Sequence, residues 1–288
     1  MSITRPIEPL AQLAQLAWDS APHLCRTEHN CQAYHRTWPM IRLLMKNASL
    51  PAGQDFFRTQ LAEFEDRAQA RIFVSGGADT GVLAMAHEVC AAFETLPKFY
   101  FLDRCETTVM LNHAYAQAFD LDLETQTADL VDCHFHDVDA VLAHSFLVFF
   151  PRHIRPLVVS AWFNALRPGG LSLTTVTINC RPEDPYTGVM STDELGPLMA
   201  ELDAAARNAG LSEANRQELQ KEATAFWTVR RTHDKLTEAE VIDLFTQAGF
   251  HIETAKIQDR KRGEGPRDRP ENSPVKRKRM FVAARKPY

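Results

Sequence analysis

The sequence predicts an α/β fold, a doubly wound and mostly parallel sheet whose C-terminal strand is reversed. Three observations carry this. Short β-branched and aromatic runs alternate with apolar helical stretches from residue 71 to residue 178. The run Arg71-Ile-Phe-Val-Ser75 ends in a glycine-rich turn, Gly76-Gly-Ala-Asp-Thr-Gly81. The run Phe99-Tyr-Phe-Leu102 ends in an acid, Asp103. Strand, glycine loop, helix, strand and acid, in that order, make a nucleotide-binding βαβ unit. Glycine lets the backbone come close to a ligand, the helix N-terminus offers free N–H groups, and the acid can take the two hydroxyls of a ribose.

The elements follow in chain order. Leu10, Leu13, Leu16 and Ala17 recur at helical spacing, as do Tyr34, Trp38, Ile41, Leu44 and Met45. Residues 1–53 therefore read as an N-terminal helical cap ending at the break Pro51-Ala-Gly53. Phe57, Leu61 and Phe64 form the stripe of a helix over residues 54–70, and Val82 to Phe93 forms the next. After the second strand come a helix over Glu106–Phe119, a weaker strand near Thr127–Leu130, and a fourth strand over Ala140–Ala143. A helix over Ile154–Leu166 stops at Arg167-Pro-Gly-Gly170, read as a turn, before the fifth strand, Leu171–Ile178. Residues 179–236 read as a mostly helical insertion over the ligand-binding edge, with helices at Thr192–Ala209 and Glu213–Arg231. Thr237-Glu-Ala-Glu240 has capping-box spacing. The strands Phe250–Ile257 and Met280–Ala284 close the domain of residues 54–288.

Composition narrows the class. With 45% hydrophobic and 24% charged residues, the chain has the balance of a soluble globular protein. No apolar run reaches the roughly 20 residues of a membrane helix. The N-terminus lacks the basic start and apolar core of a signal peptide, so a cytoplasmic location is the default expectation. The net charge of −5 argues against a general nucleic-acid binder. The six cysteines are scattered and read as reduced thiols. The sequence leaves room for a homo-oligomer.

In its order of motifs the chain resembles a class I S-adenosylmethionine (SAM) dependent methyltransferase, a Rossmann-like fold. Gly77-Ala-Asp-Thr-Gly81 stands where that family has its SAM loop, and Asp103 where its acid holds the ribose. The stretch Asp139 to Pro151 is similar to the family's fourth strand and following loop. Leu166-Arg-Pro-Gly-Gly170 is similar to its turn before strand five. The closing segment, Glu238 to Ala284, is similar to its reversed terminal hairpin. The chain departs from the family at Ser75, where an acid is frequent, and at Asp79, in place of the middle glycine. The resemblance implies SAM as cofactor, held by Ser75, Gly76, Gly77, Ala78, Gly81, Asp103, Arg104, Asp129, Leu130, His144 and Ser145. It further implies methyl transfer to a small-molecule acceptor.

Methyl transfer from a sulfonium needs alignment first, and a base only when the acceptor holds its proton tightly. His144, after the fourth strand, is the leading candidate for that base. A histidine bonded to backbone at a strand end is the plainer alternative. Tyr34 and His35 in the cap are further candidates for the acceptor side. Tyr34 and Trp38 lie four apart on one helical face, enough to cover a flat substrate or a sulfonium. The commoner meaning of such a stripe is core packing. Rival functions are another SAM-binding reaction on the same fold, an NAD-dependent dehydrogenase, and a non-catalytic subunit. The loop lacks the full Gly-x-Gly-x-x-Gly pattern that the dehydrogenase would need.

Two groups carry metal-binding residue types: His23-x-Cys25-x3-His29-x-Cys31 and Cys133-His134-Phe-His136-Asp137. Neither has a standard ligand spacing, so both read as polar surface turns and no metal is expected. The basic stretch Arg260-Lys-Arg262 with Lys276-Arg-Lys-Arg279 reads as a long, solvated hairpin loop.

Overall fold

A computed structural model describes residues 10–45, 50–178, 192–228, 235–259 and 278–288. Its centre is a seven-stranded sheet. The strands are β1 (Arg71–Ser75), β2 (Lys98–Asp103), β3 (Leu123–Thr127), β4 (Val138–His144), β5 (Leu166–Ile178), β6 (His251–Asp259) and β7 (Lys278–Arg285). Their order is β3-β2-β1-β4-β5-β7-β6. Strands β1 to β5 pair in parallel, and β7 runs antiparallel between β5 and β6.

The inner strands are apolar on both faces because both faces are covered. Ile72 and Val74 of β1, Phe99 and Phe101 of β2, and Ala140 and Leu142 of β4 point into one core. The helices α1 (Leu10–Leu24), α3 (Gln54–Leu61), α4 (Gly81–Val89) and α5 (Glu106–Ala118) supply its other side. The alternate residues Phe73, Tyr100, Leu102, Val141 and Ala143 point into the second core. There they meet α6 (Arg155–Ala165) and α9 (Glu238–Gln247). The sheet is thus doubly wound, with its reversed strand where the sequence put it.

A third cluster lies outside the sheet. Ile41, from α2 (Gln32–Met45), packs with Leu202 and Ala206 of α7 (Thr192–Asn208). Leu219, Ala223, Phe226 and Trp227 of α8 (Glu213–Thr228) complete it. The cap and the insertion therefore share one helical core. Arg36 ties them at the rim, donating to Glu218 at 2.7 Å and Glu222 at 2.9 Å while its guanidinium lies over the Trp18 ring.

Several boundaries differ from the sequence reading. The helix expected over residues 54–70 ends at Leu61, and a 3-10 turn, Ala62–Phe64, follows. Gln69 takes a left-handed φ of 56°, which no helix tolerates in its interior. The third strand is Leu123–Thr127, and Leu130 begins a 3-10 turn instead. Leu166-Arg-Pro-Gly-Gly170 is already part of β5. Leu166 pairs with Val138, and Gly169, at φ 75°, donates its N–H to Lys286 O at 2.8 Å. The expected capping box is present: Thr237 and Glu240 exchange side-chain and backbone bonds at the start of α9. The basic stretch lies outside the described residues except for its last residues, Lys278 and Arg279, which open β7. Among the described residues no helix is long and apolar enough to cross a membrane.

Candidate functional site

The strand order reverses between β1 and β4, and parallel register brings the strand ends together there. Ser75 pairs with Leu102, Val74 with Leu142, and Asp103 with Thr127. The glycine loop, Asp103, the Asp129 turn and His144 therefore emerge on one edge, where ligands bind in such sheets.

Gly76 turns the chain off β1 at φ 72°, donating its N–H to Leu102 O at 2.9 Å. A Cβ at Gly76 would run into the Phe146 ring from the loop after β4. Both the backbone angle and the close ring explain glycine here. Gly77 and Ala78 are half-exposed and form the open side of the loop.

Asp103 is half-exposed and held from two sides. Its Oδ2 accepts from the Gly77 N–H at 3.2 Å, and its Oδ1 accepts from the Cys105 N–H at 2.8 Å. Each carboxylate oxygen keeps a lone pair for a further donor. Burial pushes its pKa up, opposed by the nearby imidazole of His35 and the two N–H bonds.

The residues that depart from the family pattern face other protein groups. The Ser75 side chain is buried, and its hydroxyl accepts from Trp162 Nε1 at 2.8 Å. Asp79 is buried as well. Its Oδ1 accepts from the Gly81 N–H at 2.9 Å, capping α4, and its Oδ2 pairs with Arg42 Nη1 of α2 at 2.5 Å. A Cβ on Gly81 would crowd both partners, at 3.0 Å from Asp79 Oδ1 and 3.1 Å from Arg42 Nη1. The cap is thereby pinned to the glycine loop, a link the sequence reading missed.

On the other side, Arg104 and Asp129 are exposed and Leu130 is buried. Asp129 Oδ1 accepts from the Val131 N–H at 3.3 Å, shaping the turn after β3. His144 ends β4 and is half-exposed. Ser145 follows at φ 53°, its N–H bonded to Thr175 O at 2.9 Å. The loop beyond is fixed by the fully buried Arg155, whose Nε donates to Leu147 O and Phe150 O.

Tyr34 and His35 diverge. Tyr34 stacks on Phe226 of the insertion at 5.4 Å and meets Phe149, after β4, edge-on at 5.9 Å. It therefore sits where cap, insertion and β4 loop meet. His35 is 6% exposed, and its Nδ1 lies 3.1 Å from Cys105 Sγ and 3.6 Å from Cys25 Sγ. That is not the setting of a base open to an acceptor. Of the two expected polar surface turns, Cys133–Asp137 behaves as one, with His136 paired to Asp137 at 3.0 Å on the surface. The other does not: Cys25 and Cys31 turn inward, beside His35 and Cys105.

No protein-family profile matches the chain, and no curated protein does. Solved structures share its fold. One is a Galdieria sulphuraria protein provisionally named a sarcosine dimethylglycine methyltransferase, with 13% identity and a TM-score of 0.50 over 81% of this chain and 85% of that one. Another is magnesium protoporphyrin IX methyltransferase from Synechocystis with bound S-adenosylhomocysteine, with 13% identity and a TM-score of 0.49 over 86% and 85%. A third is a SAM-dependent methyltransferase from Methanosarcina mazei, with 15% identity and a TM-score of 0.48 over 79% and 97%. At 13% identity and a TM-score of 0.50, the likeness to the Galdieria protein shows the fold alone.

Proposed function

We propose that the chain is a SAM-dependent methyltransferase acting on a small-molecule acceptor. The observation that carries this is the placement of Asp103. Its half-exposed carboxylate stands at the end of β2, braced by the Cys105 N–H and by the Gly77 N–H of the open glycine loop itself. Those residues fit a ribose diol beside an amino-acid tail. Sharing the fold of the Galdieria protein adds support.

When bound, SAM supplies an electrophilic methyl on a sulfonium whose departing thioether is neutral and needs no acid. Gly77 and Ala78 bind the methionine end through backbone. Asp103 accepts both ribose hydroxyls, and Arg104, Asp129 and Leu130 flank the adenine. His144 and Ser145 face the acceptor, with His144 taking the acceptor's proton where it carries one. Tyr34, between Phe149 and Phe226, closes the acceptor side and excludes water. Ser75 acts through its backbone, since its hydroxyl belongs to Trp162. His35 serves the cap rather than the acceptor.

The test is incubation with methyl-labelled SAM and a fractionated metabolite extract. Label in a low-molecular-weight product supports the reading. Label in protein or nucleic acid, or retention of label in SAM with every fraction, contradicts it.

A further inference from the structure

Beneath the proposed ribose acid, four metal-binding side chains converge from separate parts of the chain. Cys25 follows α1, Cys31 precedes α2, His35 lies in the first turns of α2, and Cys105 precedes α5. Cys105 Sγ lies 3.6 Å from Cys25 Sγ, 3.7 Å from Cys31 Sγ and 3.1 Å from His35 Nδ1. Cys25 Sγ lies 3.6 Å from His35 Nδ1, and all four ligand atoms fall within 4.8 Å of one another.

We infer that Cys25, Cys31, His35 and Cys105 form a mononuclear tetrahedral zinc site that fastens the helical cap to the sheet. Zinc bound at ~2.3 Å to sulfur and ~2.0 Å to nitrogen places tetrahedral ligands roughly 3.5–3.8 Å apart. The Cys105–Cys25, Cys105–Cys31 and Cys25–His35 separations match the edges of that polyhedron, the His35–Cys105 edge is shorter at 3.1 Å, and the two remaining edges are no longer than 4.8 Å. A disulfide does not account for them, because Cys105 is nearly equidistant from two sulfurs and both gaps far exceed the ~2.05 Å of a covalent bond. A multi-iron cluster does not either, since thiolates on different irons stand further apart than thiolates sharing one ion. Three thiols and an imidazole packed together without an ion would gain only weak sulfur hydrogen bonds.

The donor set suits zinc, being three soft sulfurs and one imidazole with no carboxylate among them. Four protein ligands leave no open position, which marks a structural rather than a catalytic ion. The site joins the connection between α1 and α2 to the residue that opens α5. It adds a second tie to the one made by the Arg42–Asp79 pair and the packing of Leu13 and Ala17 in the core. This site stands on its own geometry and does not depend on what the neighbouring crevice binds.

The test loads the full, reduced chain with Zn²⁺ alone and then with Co²⁺ alone. The expected result is about one ion per chain, with intense thiolate-to-cobalt absorption and the visible bands of tetrahedral cobalt. Cys25→Ser, Cys31→Ser and Cys105→Ser should each weaken cobalt binding about tenfold or more. Cys133→Ser, outside the cluster, should leave it unchanged. Chelation should lower the thermal midpoint of the wild-type chain but not of Cys105→Ser. Should the cluster variants be insoluble, the cobalt spectrum and metal count of the wild type still decide. Absence of a thiolate–cobalt band, undiminished binding in all three cysteine variants, or iron with inorganic sulfide in the purified chain would each overturn the site.

Discussion

Arg42 of the cap and Asp79 of the glycine loop form a buried ion pair at 2.5 Å, with side chains 3% and 6% exposed. Asp79 occupies the loop position where the resembling family keeps a glycine. Its two oxygens divide the work: Oδ1 caps α4 through the Gly81 N–H and Oδ2 holds α2 through Arg42. A carboxylate at this position therefore gives the loop a fixed link to the cap.

Breaking that pair from one side leaves a charge buried without its partner, which costs about 3–5 kcal/mol. Arg42→Ala and Asp79→Asn should each lower stability by about that much in urea unfolding. The double variant should be less unstable than the sum of the two, because the second change removes a charge already stranded. Strict additivity would show that the pair is not coupled.

His144 is expected to act on the acceptor and not on the cofactor. His144→Ala should lower turnover by about 100-fold or more for an acceptor that must lose a proton, as loss of a general base does. Its SAM affinity, measured by calorimetry, should stay within about threefold of wild type. Full activity would reduce His144 to a structural strand end.

His87, on α4 behind the glycine loop, gives a pH signature. It is buried against Tyr115, whose hydroxyl lies 3.0 Å from its Nδ1, and beside Phe119. Burial lowers its pKa below the ordinary 6.5, so the folded chain resists its protonation. Below that ordinary value the unfolded chain takes up a proton that the folded chain does not. Its stabilising contribution is therefore complete above pH 6.5 and declines as the pH falls toward the lowered value. The decline is at most about 1.4 kcal/mol per pH unit. Thermal midpoints should drop more steeply below that pH in wild type than in His87→Gln; parallel slopes would contradict this.

Much of the architecture was legible because local chemistry and tertiary role agreed. Ile72, Phe73 and Val74 read as a strand and are buried on both faces, and Thr237 with Glu240 announced a helix start that the structure carries out. The place of Asp103 at the end of β2 was legible from position alone, at the end of an apolar run before a polar turn. Strand β3 was misplaced because Leu123-Glu-Thr-Gln-Thr127 is a polar edge with one neighbour, and edges carry little hydrophobic pattern. The thiol–imidazole cluster escaped because its fourth member, Cys105, lies 70 residues from His35. Spacing rules see neighbours in the chain, so they coupled Cys25 and Cys31 to His23 and His29 instead. The Arg42–Asp79 pair was invisible for the same reason, being 37 residues apart.

The most direct measurement of the methyl-transfer account is calorimetric titration of SAM into the wild-type chain and into Asp103→Ala. The account predicts saturable binding to wild type and an affinity roughly 10–100-fold weaker in the variant, the loss of charge-assisted bonds to the ribose hydroxyls. No heat of binding in wild type at millimolar SAM, or the same dissociation constant in both proteins, would contradict it.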